Sequence, residues 1–192
     1  MSEMKKFIAS AVGIILVLLS CLSSFAAEQR VVRVGAFNFY PGIFKDKDGV
    51  IKGFYVDALA DLAQRENLRI EYVYGSWSEG LERLKAGGVD VLTSVAWTPE
   101  REKFMDYAST PLLTVWGELY VPLKSEIDGI SEVQGKKIAV MKGDFNGQNF
   151  VDLAKKIGIT CEFIELPGFE EVFKAVAAKK VVAGAGLTGR DA

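Results

Sequence analysis

Segments typical of strands and segments typical of helices alternate from residue 31 to residue 185, and this alternation limits the folds that the chain can adopt. Val31 to Ala36 is rich in β-branched residues and predicts a strand. Tyr55 to Glu66 carries apolar residues at helical spacing, which predicts a helix with one apolar face. Repeats of this kind bury helices on both faces of a mostly parallel sheet. The sequence therefore predicts an α/β fold with parallel-rich sheets flanked by helices.

The other predicted elements continue the same order along the chain. Strands are predicted at 69–74, 90–95, 136–141, 160–166 and 181–185, and helices between Ser76 and Gly87 and at 99–104, 148–157 and 169–178. Ser76 and Glu79 have the spacing of a capping box. A long extended segment at 112–122 interrupts the alternation. We therefore expect two α/β lobes, a first at 27–111 and a second at 123–192, joined by a crossover at 112–122.

Composition excludes several classes of function. The chain has no histidine and only two cysteines, which excludes a histidine-based hydrolytic triad and a metal site built on histidine. Its formal net charge is −2, whereas a nucleic-acid-binding surface is normally strongly basic. We predict no metal, no cofactor and no nucleic-acid partner.

Residues 1–26 have the organisation of an export signal. A short lysine-containing start precedes an apolar run at 7–19, and the small residues Ser24 and Ala26 follow. The run is short for a membrane span, which needs about 20 apolar residues. The sequence predicts a signal peptide and a periplasmic protein, with an uncleaved anchor as the alternative. The four residues that end at Cys21 also resemble a lipobox, which would make the protein a lipoprotein anchored through Cys21.

Several short motifs resemble, in order and spacing, the bacterial family 3 extracytoplasmic solute-binding proteins. They are Gly53-Phe54-Tyr55-Val56-Asp57, Val89-Asp90-Val91-Leu92, Thr98-Pro99-Glu100-Arg101 and Gly135-Lys136-Lys137-Ile138-Ala139-Val140. The amino-acid sequences at 72–77 and 114–117 are similar to those of binding domains fused to bacterial membrane sensors. The resemblance implies a two-lobed, periplasmic-binding-protein-like clamshell that closes on a small solute. Because the chain stops at 186–192, where the family's return crossover begins, we expect a truncated copy with an incomplete return to the first lobe.

The resemblance also implies which residues contact the solute. They are Tyr40 and Trp77 as aromatic lining, Arg101 as the partner of a carboxylate, Thr93, Ser94 and Ala96 in the loop before it, and Asp144 in the second lobe. A loop tyrosine and a core tryptophan are the alternative interpretations of Tyr40 and Trp77. A solvated helix arginine is the alternative for Arg101.

Three positions depart from the pattern of amino-acid-binding members. Ala96 stands where a serine or threonine is usual, and Phe37 and Leu187 stand where an aspartate is often found. Loss of the aspartate that binds the amino group would leave that group unpaired, at a cost of about 1–3 kcal/mol. These departures favour an anion or carboxylate with an aromatic or apolar body over a zwitterion.

The hypothesis that follows is non-catalytic, extracytoplasmic binding of a small carboxylated solute, an amino acid or a related organic acid, in an interlobe cleft. The protein would serve transport with an ABC permease, or ligand sensing with a membrane sensor protein. A degenerate, non-binding fragment is one alternative. A dehydratase-like enzyme is another, in which Asp144 or Glu100 would serve as acid or base.

We predict that the exported protein begins at Ala27, because cleavage after Ala26 fits the small residues at 24 and 26. Intact-mass measurement and N-terminal sequencing of the periplasmic product check this. A product that begins at Met1, or a globomycin-sensitive lipid on Cys21, would contradict it.

Overall fold

A computed structural model describes residues 29–190, and for residues 188–190 it describes the backbone alone. The predicted signal peptide and Cys21 lie outside these residues. The strands are β1 Arg30–Ala36, β2 Phe44–Lys45, β3 Ile51–Lys52, β4 Leu68–Tyr74, β5 Val91–Leu92, β6 Thr114–Tyr120, β7 Lys137–Met141, β8 Glu162–Leu166 and β9 Ala183–Arg190. The helices are α1 Phe54–Arg65, α2 Trp77–Lys85, α3 Phe145–Lys156 and α4 Phe169–Ala177, with a 3-10 turn at Ile130–Val133. Among the described residues, no helix combines the length and apolar character of a membrane span.

Two sheets flanked by helices, together with a two-stranded antiparallel sheet of β2 and β3, contain these strands. The N-terminal sheet has the strand order β4-β1-β5, and β1 runs parallel to β5 with Val34 opposite Val91. The C-terminal sheet has the order β6-β9-β7-β8, in which β7 runs parallel to both β8 and β9. Strands β6 and β9 are antiparallel, so the C-terminal sheet also contains the crossover segment. The α/β class with parallel-rich sheets is therefore confirmed.

Capping explains where two of the helices begin. At α2 the Ser76 hydroxyl accepts from the Glu79 N–H, and the Glu79 carboxylate accepts from the Ser76 N–H at 2.7 Å, so the predicted capping box is present. Helix α3 begins at Phe145, three residues before the predicted start, because the Asp144 carboxylate caps it by accepting from the Gly147 N–H.

Three predicted elements were wrong in extent or type. Residues 99–104 form turns instead of a helix: Thr98 Oγ1 caps the segment by accepting from the Arg101 N–H, but the Phe104 N–H bonds only three residues back, to Arg101. The strand predicted at 90–95 is confined to Val91–Leu92. The last strand does not end at 185 but continues to Arg190, because it pairs along the whole of β6, with Arg190 opposite Thr114.

The core joins residues from both sheets. One cluster of buried side chains contains Phe37, Tyr55 and Trp77 from the N-terminal half together with Met141 and Phe169 from the C-terminal half. Residues from Val31 onward accordingly form one compact unit. This shared core brings the loop after β5 against the turn between β7 and α3.

Gly184 in β9 tests how tightly α4 packs on the C-terminal sheet. A Cβ at this position would lie 2.6 Å from Val172 Cγ1 and 2.9 Å from Val176 Cγ2. We predict that Gly184→Ala lowers the free energy of unfolding by about 1–3 kcal/mol, the range for overpacking a buried site. Urea unfolding measures the change. Gly129→Ala is the control, because a Cβ at Gly129 meets nothing within 4 Å; equal effects of both substitutions would contradict the prediction.

Candidate functional site

Arg101 lies where the two halves of the chain meet. Its side chain is buried, and the residue is only 8% exposed. Nη1 donates to the carbonyl oxygen of Ala96 at 2.9 Å, and Nη2 donates to the carbonyl oxygen of Gly143 at 3.0 Å. Ala96 belongs to the loop after β5, and Gly143 belongs to the turn between β7 and α3. One guanidinium thus connects two segments that are distant in the sequence.

Trp77 lies directly against this guanidinium. Its exposure is 3%, and Arg101 Cζ lies 5.1 Å from the centroid of its ring, within the range of a cation–π contact. The backbone of Gly143 also approaches the ring, since a Cβ there would lie 3.5 Å from Trp77 Cζ3. Gly143 has a φ of +75°, which glycine adopts without strain. Trp77 is therefore both a core residue and a wall of the Arg101 site.

The positive charge of Arg101 has no ion-pair partner within residues 29–190, where its hydrogen bonds go to carbonyl oxygens. Burial lowers the pKa of the guanidinium, and the nearby Tyr107 and Asp144 oppose that shift. The Tyr107 hydroxyl shares the acceptor, because it donates to the same Ala96 carbonyl at 3.1 Å. A buried charge that is not neutralised is costly, so this guanidinium is a strong site for an anion.

Asp144 lies close to Arg101 in the same buried region, where its carboxylate acts as the cap of α3. Its Oδ2 accepts from the Gly147 N–H at 2.8 Å. Burial raises the pKa of the Asp144 carboxyl, and hydrogen bonds from Gly147 and Asn146 and the charge of Arg101 partly offset that rise. The other carboxylate considered for acid–base chemistry, Glu100, is exposed.

The loop after β5 contributes the remaining predicted residues of this cluster. Thr93 Oγ1 is buried and has no hydrogen-bond partner in the part of the chain that the structure describes. Ser94 has a φ of +58°, which turns the chain sharply before Ala96. Ala96 contributes through its carbonyl oxygen, so the lack of a hydroxyl at this position does not remove it from the site. A buried hydroxyl without a partner is unusual and is available to a ligand.

Tyr40 lies in a different place from the Arg101 cluster. It is 77% exposed, and its ring packs on Phe44 at a centroid distance of 5.0 Å. With Leu187 it lines a cavity of about 520 Å3 to which neither Trp77 nor Arg101 contributes. The structure thus groups Trp77, Arg101 and Asp144 with Ala96 of the loop at 93–96, and it assigns Tyr40 to the cavity.

The sequence analysis missed most residues of that cavity, including Lys45, Phe169 and Phe173. The spacing of Phe169 and Phe173, four residues apart in α4, was a signal that both rings share one helix face. Among the described residues, no group of three His, Cys, Asp or Glu side chains is arranged to hold a metal ion.

Asp144 makes stability depend on pH in a predictable direction. Because its pKa in the folded protein is raised above the ordinary 3.8, the folded state binds more protons than the unfolded state between the two values. The free energy of unfolding therefore falls as the pH rises through that window. Asparagine also caps helices but does not titrate. We predict that Asp144→Asn becomes more stable relative to the unsubstituted protein as the pH rises from below 3.8 to neutrality.

Urea unfolding at a series of pH values measures this difference. Asp152→Asn is the control, because Asp152 is an exposed carboxylate of α3. A stability difference for Asp144→Asn that does not change with pH would contradict the prediction.

Comparison with known proteins identifies the family of this chain. The family model of bacterial extracellular solute-binding proteins, family 3, matches residues 32–146. The histidine-binding periplasmic protein of Escherichia coli (strain K12) is 27% identical over 143 residues, which is 73% of this chain and 54% of that protein. The chain thus spans about half the length of this relative.

Solved structures share the fold. The ancestral amino acid-binding protein AncCDT-1, described as a precursor of cyclohexadienyl dehydratase, superposes with a TM-score of 0.72 at 25% identity over 82% of this chain and 71% of that one. A histidine kinase sensor domain with similarity to periplasmic binding proteins has a TM-score of 0.71 at 21% identity, over 84% of this chain and 68% of that one, and shows the fold alone. These matches confirm the resemblance predicted from the motifs. The chain belongs to the bacterial extracellular solute-binding proteins, family 3.

Proposed function

We propose that this chain binds a small carboxylated solute, an amino acid or a related organic acid, without catalysing a reaction. In this proposal residues 27–111 and 123–192 act as two lobes, residues 112–122 act as the hinge, and the solute binds between the lobes. Proteins named for amino-acid binding are among the relatives, which supports a solute of this class.

The observation that carries the proposal is the buried guanidinium of Arg101, which forms no direct ion pair among the described residues. A guanidinium has five N–H donors, and the described hydrogen bonds from this side chain use two of them. The planar fork matches the two oxygens of a carboxylate, and such charge-assisted pairs are stronger than neutral hydrogen bonds. A carboxylate would supply the direct ion pair that this guanidinium does not make among the described residues.

Two neighbours support the same role. Thr93 Oγ1 offers a hydrogen bond that the described residues do not use. Trp77 covers one side of the guanidinium, which excludes water from that side and strengthens the interaction with an anion. With Ser94, these residues form the proposed anchor for the carboxylate end; the Ala96 carbonyl holds Arg101, Asp144 caps the helix beside it, and Tyr40 would contact the rest of the solute.

The cellular role that we propose is transport or ligand sensing outside the cytoplasm. The signal-like sequence at 1–26 fits export to the periplasm, either as a soluble protein or as a lipoprotein anchored through Cys21. An ABC permease would be the partner in transport, and a membrane sensor protein would be the partner in sensing. Relatives named as periplasmic binding proteins support this location.

We predict that solute binding depends on Arg101. Replacing it by alanine removes a charge-assisted pair and should weaken carboxylate binding about 10- to 100-fold, whereas Arg101→Lys keeps the charge, loses the fork and should weaken it less. Calorimetry of the exported protein against a panel of carboxylates, neutral sugars and organic cations measures this. Arg65→Ala is the control, because Arg65 forms an exposed ion pair with Asp61 on α1.

Circular dichroism of each variant separates loss of binding from loss of fold. Tight binding of a neutral sugar that Arg101→Ala leaves unchanged would refute the proposed function.

A further inference from the structure

The cavity of about 520 Å3 beside Tyr40 has walls from both halves of the chain. Phe39, Tyr40 and Phe44 come from the loop after β1 and from β2, and Phe169 and Phe173 come from α4. Its volume lies in the range of about 300–1,000 Å3 that is typical of small-molecule sites. Five aromatic rings around one cavity of this size provide a mostly apolar surface for a flat or bulky group.

Ring–ring contacts hold these walls in place. Phe39 contacts Phe169 at a centroid distance of 6.0 Å, a contact that joins the two halves of the chain. Phe173 packs edge-on against Tyr120 at 5.1 Å, although 40% of its surface is exposed. Aromatic pairs in such arrangements stabilise each other beyond the area that they bury. The cavity is therefore largely preformed, which reduces the entropy that a ligand loses on binding.

The charged groups at the cavity favour a neutral or anionic occupant. Lys45 Nζ lies 3.6 Å from the centroid of the Tyr74 ring, and no carboxylate lies within ion-pair distance of it among residues 29–190. Glu170 also lines the cavity, but Lys174 Nζ neutralises it at 2.6 Å. Glu171, which acts electrostatically on Tyr74, does not line the cavity. Lys45 would repel a cation inside the cavity. The one carboxylate among the described residues that line the cavity, Glu170, is already paired with Lys174.

Leu187 completes the cavity with an apolar side chain. Its carbonyl oxygen accepts from the Tyr120 hydroxyl at 3.0 Å, which fixes the backbone of β9 beside Phe173. The same cluster of buried side chains contains Trp77 and Phe169, with Phe39 and Leu187 packed against it, so the cavity and the Arg101 anchor are parts of one packed region.

We propose that this cavity selects the body of the solute: it accepts a phenyl-sized aromatic or bulky apolar group and rejects a cationic one, with Lys45 as the residue that rejects it. This inference rests on the proposed function and assigns its substrate class, an aromatic or bulky apolar carboxylic acid. The relatives named as binding proteins for histidine, or for lysine, arginine and ornithine, would differ from this chain in the solute side chain that they accept.

The experiment compares three carboxylates by calorimetry on the exported protein: 3-phenylpropionate, propionate and 4-guanidinobutanoate. We expect 3-phenylpropionate to bind at least about tenfold more tightly than propionate, because burying a phenyl ring removes a large apolar area from water. We expect 4-guanidinobutanoate to bind more weakly than 3-phenylpropionate. Phe173→Leu should reduce the preference for the phenyl compound over propionate.

Lys45→Glu should bring the affinity for 4-guanidinobutanoate closer to, or above, that for 3-phenylpropionate. Lys47→Glu is the matched control, because Lys47 is exposed two residues away and does not line the cavity. Thermal melts of the Phe173 and Lys45 variants report their folding separately from their binding.

The outcomes distinguish this inference from the proposed function. If propionate binds as tightly as 3-phenylpropionate, or if the guanidino compound binds most tightly to the unsubstituted protein, the inference is overturned while carboxylate binding stands. If Lys45→Glu and Lys47→Glu change selectivity equally, Lys45 is not the selecting residue and the inference is overturned. If no carboxylate binds, including amino acids, the proposed function fails and the inference fails with it.

Discussion

The hydrogen bond from Arg101 to the carbonyl of Gly143 is the contact on which the proposed site depends. It joins the loop after β5 to the turn after β7. Other contacts hold the guanidinium and the carbonyl in place separately. Trp77 packs against one side of the guanidinium. The left-handed conformation of Gly143 directs the Gly143 carbonyl oxygen toward the guanidinium. A side chain at Gly143 would be strained at this φ, so the geometry favours glycine there.

Much of the fold could be predicted from the sequence because its signals are local. The β-branched run of β1, the apolar stripe of α1 and the capping box of α2 each act within a few residues. The errors occur where distant partners decide the structure. Residues 99–104 form turns in a segment whose Arg101 side chain bonds to the distant Gly143, and β9 extends past residue 185 because β6 offers a partner for its whole length.

Part of the candidate site could be predicted because some of its residues lie in short sequence motifs. Arg101, Trp77 and Ala96 were identified from the resemblance, and Trp77 and Ala96 both contact Arg101. The motifs did not indicate that Gly143 would contribute a carbonyl, because backbone acceptors carry no residue-type signal. The aromatic cavity was missed because its rings come from 39–44 and 169–173, and only tertiary packing brings those segments together.

The two carbonyls that hold Arg101 have a consequence for the speed of solute exchange. Arg101 is only 8% exposed and its Nη2 is bonded to Gly143, so the two halves of the chain have to separate locally before a solute can reach the guanidinium donors that remain unused. Separation is then a first-order step that does not depend on solute concentration. Association that follows such a step becomes independent of solute concentration when solute is abundant, and the plateau rate reports how often the Arg101–Gly143 contact opens.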